Sequence, residues 1–196
     1  MDSRIKALIE ESISVKQAIL EDEGLLARID DIAWIIVKAL KNDKKVLFCG
    51  NGGSASDAQH LAAELSGRFY LERESLFAEA LHVNTSYLTA VANDYGYEEV
   101  YARLVRGKGR KGDVLVALST SGNSPNVIRA TQDANDLGMT TIGMTSQAGG
   151  KLAPLCDFWI GVPSNDTMRT QEAHIMIGHL ICELVEKRIF EVRGKR

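Results

Sequence analysis

Three cysteines, Cys49, Cys156 and Cys182, are too few and too scattered to staple a fold. An odd, sparse set argues for reduced thiols in a cytoplasm and offers no cysteine-based zinc site. Their expected role is that of small buried hydrophobes. Basic charge is short as well: 23 Lys and Arg face 26 Asp and Glu, so a net charge of -3 gives no global footprint for nucleic acid. No apolar run approaches the roughly 18 residues of a membrane span. The opening "MDSRIKALIEESISVKQAIL" carries charges throughout, unlike a secretory signal. Low-complexity tracts and linker-like stretches are missing too. The 196 residues therefore read as one domain, with a helical extension over 1–42 and an α/β core over 43–196. A chain of this length that is 45% hydrophobic can bury a sizeable core without disulfides.

What is present is a clear change of texture. Ile5, Leu8, Ile9, Ile13, Ile19 and Leu20 recur at helical spacing, and a second helix follows from about Leu25 to Leu40. Neither has a preceding strand, so the pair is expected to cover a sheet face or a neighbouring subunit. From Lys45 onward, short apolar runs alternate with helical patterns. The runs are "VLFCG", "AEALHV", "VLVALS", "TTIGMT" and "FWIGV"; the helices are "SDAQHLAAELSGRF", "EEVYARLVRG", "SPNVIRATQDANDLG" and "QEAHIMIGHLICELVEKRIF". Such alternation predicts an α/β three-layer sandwich, a five-stranded parallel sheet between helices.

In such sheets ligands bind beyond the carboxyl ends of the strands. Two loops there are rich in polar groups. The first, Gly50-Asn51-Gly52-Gly53-Ser54-Ala55, fits the G-x-G-x-x-G/A turn of a dinucleotide site. The second, "LSTSGNSPNVIRA", gathers Ser119, Thr120, Ser121 and Ser124, with Ser124 expected as the N-cap and Pro125 in the first helical turn. Hydroxyls and free amides at a helix N-terminus suit phosphate, and an ordinary capped turn is the plain alternative. Asn93-Asp94 reads on its own as a turn ahead of "YEEVYARL".

His60 and Glu64 lie one turn apart on a helix face, with Asp57 a turn earlier on the same side. A chance pair on a solvated face is the alternative. In the last helix Gln171 and His179 are eight residues and about 80° apart, close enough to share a side. His174 falls on another face and reads as structural or surface. Imidazoles, a carboxylate and an amide oxygen from two helices fit a zinc shell with a position open to substrate, although Gln is an uncommon ligand.

The stretches "CGNGGSASDAQHLAAELSGRF", "VANDYG", "LSTSGNSPNVIRA" and "RTQEAHIMIGHLICELVEK", in this order, resemble the phosphoheptose isomerase family, whose members carry the SIS fold. The resemblance covers nearly the whole chain, the leading helices included. It implies a single SIS domain and one zinc per subunit, held by His60, Glu64, Gln171 and His179. It implies substrate contacts from Asn51, Gly52, Gly53, Glu64, Asn93, Asp94, Ser119, Thr120, Ser121, Ser124 and Gln171, the serine loop taking the phosphate. The implied reaction turns sedoheptulose 7-phosphate into D-glycero-D-manno-heptose 7-phosphate for bacterial surface sugars. The implied assembly is a cytoplasmic homotetramer with sites at subunit contacts. Met168 departs from the pattern, standing where the family commonly has Pro or a polar residue.

The resemblance answers the dinucleotide question. A coenzyme turn wants an acidic residue near the end of the second strand, and "AEALHV" is followed by Asn84. That reading would also leave His60, Glu64, His179 and the serine loop without work. The turn is expected to hold a phosphosugar. Isomerisation needs a base at carbon and an acid at oxygen, and Glu64 and His179 are expected in those roles, with either order open. Two rival readings stand beside the enzyme: a non-catalytic relative that binds the replication initiator, and a sugar-phosphate sensor. The first has no need of His60, Glu64, Gln171 and His179 together, and the second predicts binding without turnover.

Overall fold

The computed structural model describes residues 3–190. Helix α1 (Ser3–Glu21) is followed at once by α2 (Glu23–Lys41). The break falls at Asp22, whose carboxylate accepts the Leu25 N–H at 2.9 Å and so caps α2. Alternating strands and helices follow: β1 (Val46–Cys49), α3 (Gly53–Ser66), β2 (Ala78–Ala80), α4 (Thr85–Tyr95), α5 (Val100–Lys108), β3 (Val114–Leu118), α6 (Pro125–Asp136), β4 (Thr140–Ser146), β5 (Phe158–Val162) and α7 (Thr167–Phe190).

All strand pairs are parallel, in the order β2-β1-β3-β4-β5. Strands β1 and β3 are buried along their whole length, which explains why they read as unbroken apolar runs. Alternation still sorts their side chains. Val46, Phe48, Val114, Val116 and Leu118 pack with α2, α3 and α7, whereas Leu47, Cys49, Leu115 and Ala117 pack with α4, α5 and α6. The result is the expected sandwich of three layers. On the first face the packing leaves an enclosed apolar void of about 20 Å³, lined by Phe48, Leu61 and Ile181 among others. It is far too small for a sugar.

The leading helices divide their roles. Helix α2 buries Leu25, Ile29, Ile32, Ala33, Ile36 and Val37 against the sheet layer. Helix α1 buries Val15 and Ile19 but leaves Ile5, Leu8, Ile9, Ile13 and Leu20 between 46 and 62% exposed. The cysteines behave as small hydrophobes: Cys49 and Cys182 are buried, Cys156 is partly so, and none is bridged. No described helix is long and apolar enough to cross a membrane.

One element was missed. The stretch read as a turn around Asn93-Asp94 is the last part of α4. Asn84 starts that helix, its side chain accepting the Tyr87 N–H at 3.0 Å, and Gly96 ends it at φ 90°. Only Val91 is fully buried along α4, but Tyr87, Leu88 and Ala92 pack beside it at helical spacing, a periodic signal that the reading of this stretch passed over.

His174 is fully buried, its Nε2 3.2 Å from the Thr145 carbonyl and its Nδ1 without a partner. Burial lowers its pKa to about 4, against the smaller opposing effect of the bond to Thr145. Below about 6.5 the unfolded imidazole takes up a proton that the folded one refuses, so stability falls as the pH drops toward 4. Between pH 6.5 and 5, the wild type should lose about 2 kcal/mol more stability than His174→Gln, as read from urea midpoints. Equal losses would place the acid sensitivity elsewhere.

Candidate active site

The sheet order reverses between β1 and β3, the point where open α/β sheets leave a crevice. Both polar loops open into it. After β1 the chain turns through Gly52 at φ 55°, a left-handed conformation that glycine adopts without strain. Gly53 opens α3, and a side chain there would run into the amide of Gln171. No side chain caps α3; the Ala55 N–H reaches the Gly52 carbonyl at 3.1 Å, and the Gly53 and Ser54 amides are left at the helix start, where an anion could take them.

After β3 come Ser119, Thr120 and Ser121, and Ser124 takes the N-cap position of α6 with Pro125 behind it. The expected side-chain cap does not form. The Ser124 hydroxyl lies instead 3.0 Å from that of Ser119, which is only 4% exposed. Ser121 Oγ accepts the Asn123 N–H at 3.1 Å, and Gly122, at φ 65°, packs tightly against the Gly149–Gly150 backbone. The hydroxyls are thus gathered in front of an α6 N-terminus with no side-chain cap.

The third component comes from α3 and α7, which pack side by side. Leu61 sits on Gly178, where any added Cβ would collide with the Leu61 side chain. Close approach there brings His60 Nε2 to 2.9 Å from His179 Nε2 and to 3.1 Å from Glu64 Oε1. One ligand atom from each of the three residues lies within 4.8 Å of the other two. Phe69 lies tilted beside His179, with ring centroids 5.8 Å apart. Two imidazole nitrogens pointed at each other can share only one proton. A divalent cation between them would instead use both lone pairs, with the carboxylate as third donor. The donor set therefore fits a metal.

Other expected residues fall differently. Gln171 is on the same helix as His179, but about 12 Å of axial rise earlier, and its amide abuts Gly53. It thus stands at the glycine turn. Asn93 and Asp94 are exposed and bond to each other at 2.9 Å. Asp57 is 8% exposed, with Oδ2 buried and unpartnered. Burial raises its pKa to about 6, opposed by the nearby His60.

Three residues at the site escaped the sequence reading. Arg73 wraps the end of α3, donating to the carbonyls of Glu64 (2.8 Å), Leu65 (3.0 Å) and Gly67 (3.2 Å). Its Nε bonds Glu186 of α7 at 2.7 Å, and both side chains are 1% exposed. Glu186 also accepts the N–H groups of Phe69, Tyr70 and Leu71. Burial alone would raise its pKa, but these three N–H groups and Arg73 outweigh it and hold it at about 2. The third is Asn126, which is 2% exposed and pairs with Asn51. The Glu186 and Asn126 contacts join residues 75 or more apart, so nothing local marks them.

The SIS domain family matches residues 9–146. A phosphoheptose isomerase from Aneurinibacillus thermoaerophilus is 49% identical over 190 residues, covering 97% of this chain and 96% of the relative. A solved phosphoheptose isomerase from Neisseria gonorrhoeae superposes with a TM-score of 0.88 at 43% identity, over 94% of this chain and 97% of that one. Another, from Francisella tularensis, gives 0.89 at 35% identity, over 95% and 100% respectively.

The clamp between α3 and α7 can be tested by removing one partner. Glu186→Ala leaves Arg73 charged and buried, which should cost about 3–5 kcal/mol in urea unfolding. A loss below 1 kcal/mol would mean that the pair does not hold the two helices together.

Proposed function

The chain belongs to the phosphoheptose isomerases, a family of SIS-domain proteins, and we propose that it interconverts D-sedoheptulose 7-phosphate and D-glycero-D-manno-heptose 7-phosphate. The observation that carries this reading is the meeting of His60, Glu64 and His179 beside α3, the helix that the glycine turn begins. A base beside cation donors, next to a hydroxyl-lined helix N-terminus, suits a phosphorylated sugar whose carbonyl must move. A purely binding role would have no use for that base.

The ketose-to-aldose direction requires three transfers. A proton leaves C1, a proton arrives at C2, and the hydroxyl proton of O1 is exchanged for one on O2. Glu64 is the base at carbon. Its Oε1 faces His60, which leaves Oε2 to take the proton from C1 and return it at C2. His179, whose Nε2 is the proposed donor to the cation, has Nδ1 left for the oxygen-bound proton, and Phe69 lies beside its ring. Ser119, Thr120, Ser121 and Ser124 take the phosphate, with the amides of Asn51, Gly52 and Gly53 on the opposite side of the crevice. Zinc, one per subunit, would be held by His60, Glu64 and His179, with Gln171 as the fourth donor. When bound, it polarises the neighbouring oxygens and stabilises the enediolate charge.

The exposed apolar ridge of α1 supports a homotetramer, in which Asn93 and Asp94 would complete sites at subunit contacts. A cytoplasmic setting agrees with the unbridged cysteines. The whole extent, 1–196, acts as one SIS domain.

Isomerisation of sedoheptulose 7-phosphate, followed with and without a chelator, tests the reading. Activity should vanish on chelation and return with zinc; a metal-replete protein with no turnover would sink it. Glu64→Gln keeps size and a ligating oxygen but no basicity, so turnover should fall about 10²- to 10⁴-fold with substrate binding retained. Metal content is measured in the same sample, and wild-type exchange of the C1 proton with deuterium oxide would assign the base elsewhere. Ser124→Ala should weaken binding of the phosphorylated sugar roughly ten- to a hundredfold. Unchanged affinity would take the phosphate away from this loop.

A further inference from the structure

Asn51 and Asn126 form a reciprocal amide pair. Asn51 Nδ2 donates to Asn126 Oδ1 at 2.8 Å, and Asn126 Nδ2 donates back to Asn51 Oδ1 at 2.9 Å. Taken alone, such a pair is indifferent to a joint flip of both amides. Here the indifference is broken, because Asn126 Oδ1 also accepts the Val127 N–H at 3.0 Å. A flipped Asn126 would set N–H against N–H at a residue that is 2% exposed. Val127 therefore fixes Asn126, and Asn126 fixes Asn51. The hydroxyl of Tyr97, 3.5 Å from Asn51 Oδ1, agrees with the same orientation.

The consequence lies in what Asn51 has left. Its oxygen is taken up by Asn126 and approached by Tyr97. One of its two Nδ2 protons goes to Asn126, and the other remains for a ligand. The pair also ties the turn after β1 to the start of α6, across the crevice that the two loops share. Resting on the sugar-phosphate reading, we infer that Asn126 is a positioning residue that locks Asn51 as a dedicated hydrogen-bond donor toward an unprotonated oxygen of the substrate. That oxygen belongs either to the phosphate or to the sugar carbonyl. Asn126 acts through Asn51 and does not touch the substrate itself.

A double-mutant cycle on the metal-loaded full chain tests this, using Asn51→Ala, Asn126→Ala and the double variant. Dissociation constants for sedoheptulose 7-phosphate and kcat/KM are both measured. Each single change should weaken binding about ten- to a hundredfold, while the double variant stays within about twofold of Asn51→Ala. Equal factors for Asn126→Ala in both backgrounds, or no effect in either, would overturn the inference. A general packing role would lower thermal midpoints in both backgrounds without this non-additivity. Should Asn126→Ala fail to fold, Asn126→Ser, well suited to a first helical turn, enters the same cycle. Competition by inorganic phosphate separates the two oxygens. A parallel loss assigns the donor to phosphate, and an unchanged inhibition constant assigns it to the sugar. A wild type that binds without turnover would sink the isomerase reading alone, since the cycle is still judged on binding.

Discussion

The whole site depends on how closely α3 can approach α7, and that distance is set where Gly178 lies under Leu61. A side chain at 178 would collide with the buried Leu61 side chain, which must then shift into the small apolar void that both residues line or push the helices apart. His60 precedes Leu61 and His179 follows Gly178, so the close contact at the glycine lies beside the two imidazoles, whose Nε2 atoms are 2.9 Å apart. Arg73 and Glu186 hold the same helix pair further along, at the end of α3. One steric contact and one buried ion pair, at different levels of α7, leave the helices little freedom to slide or splay.

A second constraint works across the sheet rather than along it. The reversal of strand order between β1 and β3 places two loop-to-helix transitions side by side, one above each face. Neither α3 nor α6 has a side-chain cap, which is costly for stability and useful for binding. The Ser124 hydroxyl is where a cap would be and turns to Ser119 instead. The chain thus leaves the Ser124 hydroxyl off the α6 amides at the proposed anion site, while the buried Glu186 is satisfied by four donors.

Much of this was legible in the residues. The five strands, their parallel sense and the placement of both polar loops follow from short apolar runs between helical patterns. His60, Glu64 and His179 come together as their spacing and the family resemblance suggest. Helix α4 was missed because its stripe, Tyr87, Leu88, Val91 and Ala92, is short and ends in the polar Asn93-Asp94, which reads as a turn. The Ser124 cap was expected in the right place with the wrong partner, since a local rule cannot see Ser119 across the loop. Arg73, Glu186 and Asn126 were missed for a different reason. Their meaning lies in partners far along the chain, and an Arg in a loop or a Glu on a helix is unremarkable until the fold closes.

The central claim is that α3 and α7 together build one cation site beside the phosphosugar crevice. Its most direct test is anomalous diffraction at the zinc edge from crystals of the metal-loaded protein. One peak per subunit is expected, about 2.0–2.2 Å from His60 Nε2, His179 Nε2 and a Glu64 oxygen. A peak coordinated by other residues, or none in protein that retains stoichiometric zinc and full turnover, would contradict the account.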